Sequence, residues 1–163
     1  MRVLGLDPGT ARTGYGAVEY LHGKLRLLNY GVITTTPDLD MPKRLLLINQ
    51  ELSALIDAIQ PDAVAVEQIY YHKNAKTVIT VAQSRGVALL TGAQAGRLIA
   101  EYTPLQVKQA VVGYGNADKK QVQYMVQKLL SLKEIPQPDD AADALAAAIC
   151  HVHFHRLAGL YKG

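Results

Sequence analysis

Residues 3–16 read VLGLDPGTARTGYG, and this stretch decides the fold. Residues 3–7 form a short apolar run with an acid at its end, the pattern of a buried strand stopped by the Pro8-Gly9 turn. β-rich runs follow at 13–20 and 24–35, joined by a turn around His22-Gly23, so the spacing predicts an antiparallel meander. Around Pro42 the period changes. Leu45, Ile48, Leu52, Leu55, Ile56 and Ile59 recur at helical spacing, which predicts a helix over 43–59 that stops before Pro61. Residues 63–67 repeat the first pattern, a short apolar run ended by Glu67. Strand, helix and strand in this order predict a right-handed parallel crossover.

Further along, a loop over 68–74 leads into a second helix with Ala75, Val78, Ile79, Ala82, Leu89 and Ala93 on one face. Residues 98–102 read as the last strand. Thr103 and Pro104 suit an N-cap and first helical position, opening a short helix that stops near Gly113. Val122, Met125, Val126, Leu129 and Leu130 define a helix after Asp118, and a final helix is expected from near Pro138 to about Arg156. The whole reads as one α/β domain over 1–156, a mixed five-stranded sheet flanked by helices, with a loose tail over 157–163.

The 163 residues carry 17 Lys and Arg against 14 Asp and Glu, a basic bias too weak to identify a partner. Its distribution is more informative: from Gln68 to Ala100 there is no acidic residue, while Lys73, Lys76, Arg85 and Arg97 are cationic. The lone cysteine, Cys150, excludes an intrachain disulfide and reads as a small core residue. No secretory leader is read at Met1, and no apolar run approaches the ~20 residues of a membrane span. A cytoplasmic location is therefore expected.

The chemistry lies in the acids. Asp7 and Glu67 end short strands that the crossover makes parallel neighbours, so both are expected at the sheet edge where open α/β sheets bind ligands. Asp140 and Asp143, spaced i, i+3, share a face near the start of the last helix. Asp139 competes for Asp140's place, because Asp139 and Asp143 are also face neighbours at i, i+4. Two like charges 4 Å apart repel by about 4 kcal/mol at an effective dielectric near 20. Such a cluster must hold protons or cations. Hard oxygen donors favour Mg²⁺ or Mn²⁺. A pair of ions ~3.5–4 Å apart can activate water and stabilise the leaving oxygen of a phosphodiester. Read one at a time, the same acids suit a Pro-Gly turn or a helix N-terminus.

The strings GLDPGTARTGYG (5–16), VAVEQIYYHKNA (64–75), QVKQAVVGYG (106–115) and DDAADALAAAICHVH (139–153) together resemble the RuvC-type Holliday-junction resolvases, in that family's order and spacing. The resemblance covers about residues 3–153 and is specific as a set, whereas GLDPG alone is weak. It implies an RNase H-like fold, a homodimer, and Mg²⁺-dependent paired nicking of four-way DNA junctions. It implies RuvA and RuvB as partners and a sequence preference around the cut. By motif the catalytic, metal-holding acids fall on Asp7, Glu67, Asp140 and Asp143, and the DDAAD string favours Asp140 over Asp139.

The same resemblance makes Tyr70 a junction-wedging aromatic, and a base stacked on it would contribute ~1–3 kcal/mol. Lys108 and Lys119 match phosphate-contact positions of the family. Lys119 and Lys120 sit in a helix's first turn, where cations oppose the macrodipole. They read either as a phosphate site or as solvated lysines. Lys73 shares the loop with Tyr70, and Lys76 and Arg85 read either as part of the same basic face or as residues that keep a helix soluble. His151, His153 and His155 invite a zinc reading, but residues at i, i+2 point apart on a helix. Three other functions fit parts of the pattern, one of them a junction-binding module without catalysis. The first stretch also resembles the phosphate loop of actin-like and sugar-kinase phosphotransferases, which need a second domain to enclose ATP. A YqgF-like nuclease acting on RNA would share the early strand end but not the 106–115 segment.

Overall fold

The computed structural model describes residues 1–69 and 75–160. The elements are β1 (Arg2–Asp7), β2 (Arg12–Leu21), β3 (Lys24–Thr34), α1 (Met41–Ile59), β4 (Ala63–Glu67), α2 (Ala75–Gln94), β5 (Leu98–Tyr102), α3 (Pro104–Val112), α4 (Lys119–Leu129) and α5 (Asp139–Leu160). They build a five-stranded sheet in the order β3-β2-β1-β4-β5. β1, β2 and β3 pair antiparallel, whereas β4 pairs parallel with both β1 and β5. This is the mixed sheet the sequence predicts. His22 (φ 50°) and Gly23 (φ 81°) are both left-handed, as a two-residue type I′ hairpin between β2 and β3 requires.

β1 is central and buried on both faces, so its alternation sorts the two cores. Leu4 and Leu6 point to the α1 and α2 side, with Ile48, Leu52, Ile56 and Ala88. Val3 and Ala65 point to the other side, with Val107, Val126, Leu145 and Ile149 of α3, α4 and α5. With a period of two residues, Val3, Gly5 and Asp7 share the α5 face, as do Ala63, Ala65 and Glu67. Both strand-end acids therefore point to the side where α5 lies.

α5 lies unusually close to the sheet, and glycines are the reason. A Cβ on Gly5 would strike the backbone of Ala144, one on Gly14 the carbonyl of Asp140, and one on Gly16 the side chain of Leu145. The helix answers with a run of small residues: Ala141, Ala142, Ala144, Ala146, Ala147 and Ala148 are all buried. Gly5 pairs with Gly16 and Asp7 with Gly14 in the β1–β2 register, so this bare patch lies directly beneath α5's first turns.

Two details depart from the sequence reading. α5 continues to Leu160, beyond the expected end at Arg156, so residues 157–160 are helical where a tail was expected. The apolar face read on α2 does not turn inward as a whole. Ile79 is 69% exposed and Ala82 and Ala93 are exposed, while Ser84, Ala88 and Thr91 are buried. Thr91 stays satisfied there by donating to Val87 O and accepting from Asn49, so a small polar residue is tolerated inside.

Candidate active site

The two strand-end acids and the first turns of α5 converge at one edge of the sheet. Asp7 and Glu67 lie one position beyond the paired Leu6 and Val66 on adjacent parallel strands. Asp140 enters from above because Gly14, the register partner of Asp7, lets the Asp140 backbone descend onto β2. A cavity of about 730 Å³ opens here, lined by Asp7, Glu67, Asp143, Lys108 and Lys119.

The electrostatics show the cost of this convergence. Burial, then the negative charges of Asp143, Glu67 and Asp140, push the Asp7 carboxyl up to about 8, and Lys119 only partly offsets them. Burial also raises Asp143, against the pull of Lys119. Two cations answer the remaining charge. Lys119 Nζ lies 3.1 Å from Asp143 and 3.2 Å from Asp139, and Arg12 lies 3.6 Å from Asp140. Burial works against the Lys119 charge, but its bonds to Asp143 and Asp139 raise its pKa on balance. The first-turn position of Lys119 is thus explained by neither sequence alternative alone: its ammonium is an internal counter-ion to the acids.

Asp139 and Asp140 separate clearly. Asp139 is exposed, accepts from Gln123 Nε2 at 2.9 Å, and is held low by Lys119 and Gln123. The charges that raise Asp7 are those of Asp143, Glu67 and Asp140. Among the described residues, no three acidic, histidine or cysteine side chains already form a ready metal cage. The donors nevertheless suit a hard divalent ion: they are carboxylate oxygens, and burial together with the neighbouring acids raises Asp7, a strain that a bound cation would relieve. Convergence of charge and closure of a cage are different demands, and this arrangement meets the first.

The other sequence candidates are distributed as follows. Lys108 is half-buried in the cavity wall, and Lys120 is exposed on α4. Tyr70 and Lys73 lie outside the described residues, as does the side chain of Lys76. Arg85 is paired with Glu101 rather than facing solvent alone. His151 Nδ1 bonds the Tyr102 hydroxyl at 2.8 Å, and His153 Nδ1 donates to Ala110 O at 2.7 Å, so these two histidines serve separate contacts. Cys150 is a core residue whose thiol is pushed up to about 12 by burial and then by Glu67. The sequence reading missed Arg12 and the glycine patch. Gly14 and Gly16, two residues apart on one strand face, were the available signal.

The match that decides the family spans nearly the whole chain. The model of the family described as Crossover junction endodeoxyribonuclease RuvC matches residues 3–151. This chain belongs to the RuvC family. A RuvC from Syntrophomonas wolfei is 63% identical over 162 residues, covering 99% of this chain and 94% of the relative. The structure of Thermus thermophilus RuvC in complex with a Holliday junction substrate superposes with a TM-score of 0.92 at 36% identity, covering 97% and 96% of the two chains. A yeast mitochondrial Holliday junction resolvase shares the fold at 15% identity, with a TM-score of 0.72 over 98% of this chain and 82% of that one. The fold is RNase H-like, as the resemblance implies. RuvC membership does not favour the phosphotransferase or YqgF-like readings.

The acid cluster is expected to cost stability. Asp7 titrates above its ordinary value, so the folded state holds that proton more tightly than the unfolded chain does. Its contribution is complete below about pH 4 and is lost as pH rises through about 8. Asp7→Asn is therefore expected to be more stable than wild type in EDTA, by a margin that grows from pH 5 to pH 8. A gain of about 1–2 kcal/mol, ~2–8 °C in Tm, is expected at the upper end. Thermal melts across that range check it. Equal melting temperatures at pH 8 would mean the carboxylates do not crowd one another.

Proposed function

We propose that this chain resolves four-way DNA junctions by paired symmetric nicks in recombination and DNA repair, with Asp7, Glu67, Asp140 and Asp143 as the catalytic acids. The observation that carries the reading is the meeting of Asp7, Glu67 and Asp143 in one cavity, with burial and the charges of Asp143, Glu67 and the nearby Asp140 raising Asp7 to about 8. Its relatives are crossover junction endodeoxyribonucleases, and a similar RuvC has been seen with a Holliday junction substrate.

Such nucleases depend on metal, and the donor set fits Mg²⁺, with Mn²⁺ as a substitute and two ions per site. When bound, the ions supply an activated water and charge neutralisation at the leaving oxygen. The chain's own residues do the rest. The four carboxylates would hold the ions, and only through them the reacting phosphate, at the sheet edge. Lys119 and Lys108, in the same cavity wall, are placed to hold phosphodiester oxygens. Burial around Asp7 strengthens these interactions. Lys120, exposed beside Lys119, extends the basic rim, and the resemblance adds Lys73, Lys76 and Tyr70, the last as a stacking wedge.

A homodimer fits a reaction that cuts two symmetry-related strands. Its support is α2, where Ile79, Ala82, Gly86 and Leu90 form an exposed, largely small and apolar stripe. The resemblance supports RuvA and RuvB as partners. A single nuclease domain, extended past 156 by the end of α5, acting in the cytoplasm completes the reading. Among the described residues, no helix is long and apolar enough to cross a membrane.

The direct test is nicking of a synthetic four-way junction in Mg²⁺. Junction cleavage with linear duplex left largely intact is the expected result, and equal cleavage of both would defeat the structure-selective reading. Lys108→Ala is expected to weaken binding and lower the salt slope of log K by about 1. An unchanged slope and rate would remove Lys108 from the site.

A further inference from the structure

A second groove, about 720 Å³, lies on the far side of the Asp139–Asp140 turn from the catalytic cavity. Its walls come from the Gly9–Arg12 loop, Arg44 of α1, Thr80 of α2 and Pro138, and Lys119 lines both grooves. Three cations, Arg12, Arg44 and Lys119, face it against the two carboxylates of Asp139 and Asp140. It is polar and open, unlike a pocket for an apolar ligand.

The loop that forms it is held by buried hydroxyls. Thr13 donates to Gly9 O at 2.7 Å. Thr10 Oγ1 lies 2.8 Å from both Thr80 O and Ser84 Oγ. Thr35 in turn donates to Thr10 O, and Arg44 Nε donates to Thr35 Oγ1 at 2.8 Å. Thr10, Thr13, Thr35 and Ser84 are all buried. The chain of bonds fixes both the loop and the Arg44 guanidinium in place. A cation fixed in this way loses little freedom on binding an anion. Arg12, with 58% of its side chain exposed, stands at the mouth beside Asp140.

We infer that this groove binds the phosphodiester backbone of the junction strand next to the one being cut, with Arg44 and Arg12 each contacting a phosphate. The inference rests on the junction-nuclease reading above. Two backbone tracks then meet at Lys119, which stands between them. The groove's wall is the glycine-bearing β1–β2 loop, so a strand held in it lies at a set distance from Asp7.

The test is junction binding in EDTA, measured by fluorescence anisotropy over a series of KCl concentrations. Arg12→Gln and Arg44→Gln are each expected to lower the salt slope by about 1 and to weaken binding about five- to ten-fold near 0.1 M salt. The double variant should lose both contacts, and Arg26→Gln, on β3 away from the groove, should lose neither. A double variant with wild-type slope and affinity overturns the groove, as does an equal loss in Arg26→Gln. Arg44 also bonds Thr35, so each variant is checked by thermal melting. If Arg44→Gln unfolds, Arg12→Gln alone decides. Wild-type protein that does not bind the junction at all would instead overturn the function on which the groove depends.

Discussion

Asp7→Asn is expected to abolish junction nicking in Mg²⁺ while leaving junction binding in place. The substitution keeps the volume of the side chain and removes its charge at the point where Asp143, Glu67 and Asp140 converge. The nicking rate should fall by roughly 10⁴–10⁶-fold, the range for losing one member of a catalytic unit. Glu67→Gln, Asp140→Asn and Asp143→Asn should do the same. Members of one unit are not additive, so a second substitution should cost little more. Asp139→Asn is the internal control. Its carboxylate is exposed and spent on Lys119 and Gln123, so a loss under about ten-fold is expected. Single-turnover nicking beside anisotropy binding separates the two outcomes. Near-wild-type nicking by Asp7→Asn, or a collapse in Asp139→Asn with Asp140→Asn spared, would overturn the assignment.

The second large effect comes from a residue with no side chain. Gly14→Ala would set a Cβ against the Asp140 backbone carbonyl, and a backbone cannot swing aside as a side chain can. α5 must then rise from β2 and carry Asp140 and Asp143 away from Asp7 and Glu67. Overpacking a tight core costs typically 1–3 kcal/mol, and a backbone collision belongs at or above the top of that range. A fall in Tm of ~6–12 °C is expected for about 3 kcal/mol. Nicking should fall further than stability explains, by about 10²-fold in the fraction still folded, because a displacement near 1 Å costs that much. Gly159→Ala, on α5, is the control. A Cβ there meets nothing, and helix propensity favours alanine by about 1 kcal/mol. If Gly14→Ala melts and nicks like wild type, the close approach of α5 does not position the acids.

The elements were legible because their patterns are local. Apolar runs ended by turns placed β1 and β4, helical spacing placed α1, and the Thr103-Pro104 cap opened α3 as a full capping box. The exposed face of α2 was not legible. Ile79 reads as core by composition, whereas Ser84 and Thr91 are buried and hydrogen-bonded, which no periodicity of apolar residues reports. The end of α5 was missed for a similar reason: His155 and Arg156 look like a polar boundary, but the helix continues past them.

For the site, the sequence by itself determined which acids were available and that two of them end neighbouring parallel strands. Strand alternation and i, i+3 spacing are properties of the chain alone. Only the tertiary structure decided how far α5 descends onto the sheet, that Asp140 rather than Asp139 bears on Asp7, and that Lys119 and Arg12 neutralise the cluster. Those outcomes depend on the clearance between backbones that are distant in sequence. The clearance is set by the absence of a Cβ at Gly5 and Gly14, and it becomes visible only when helix and sheet are packed together.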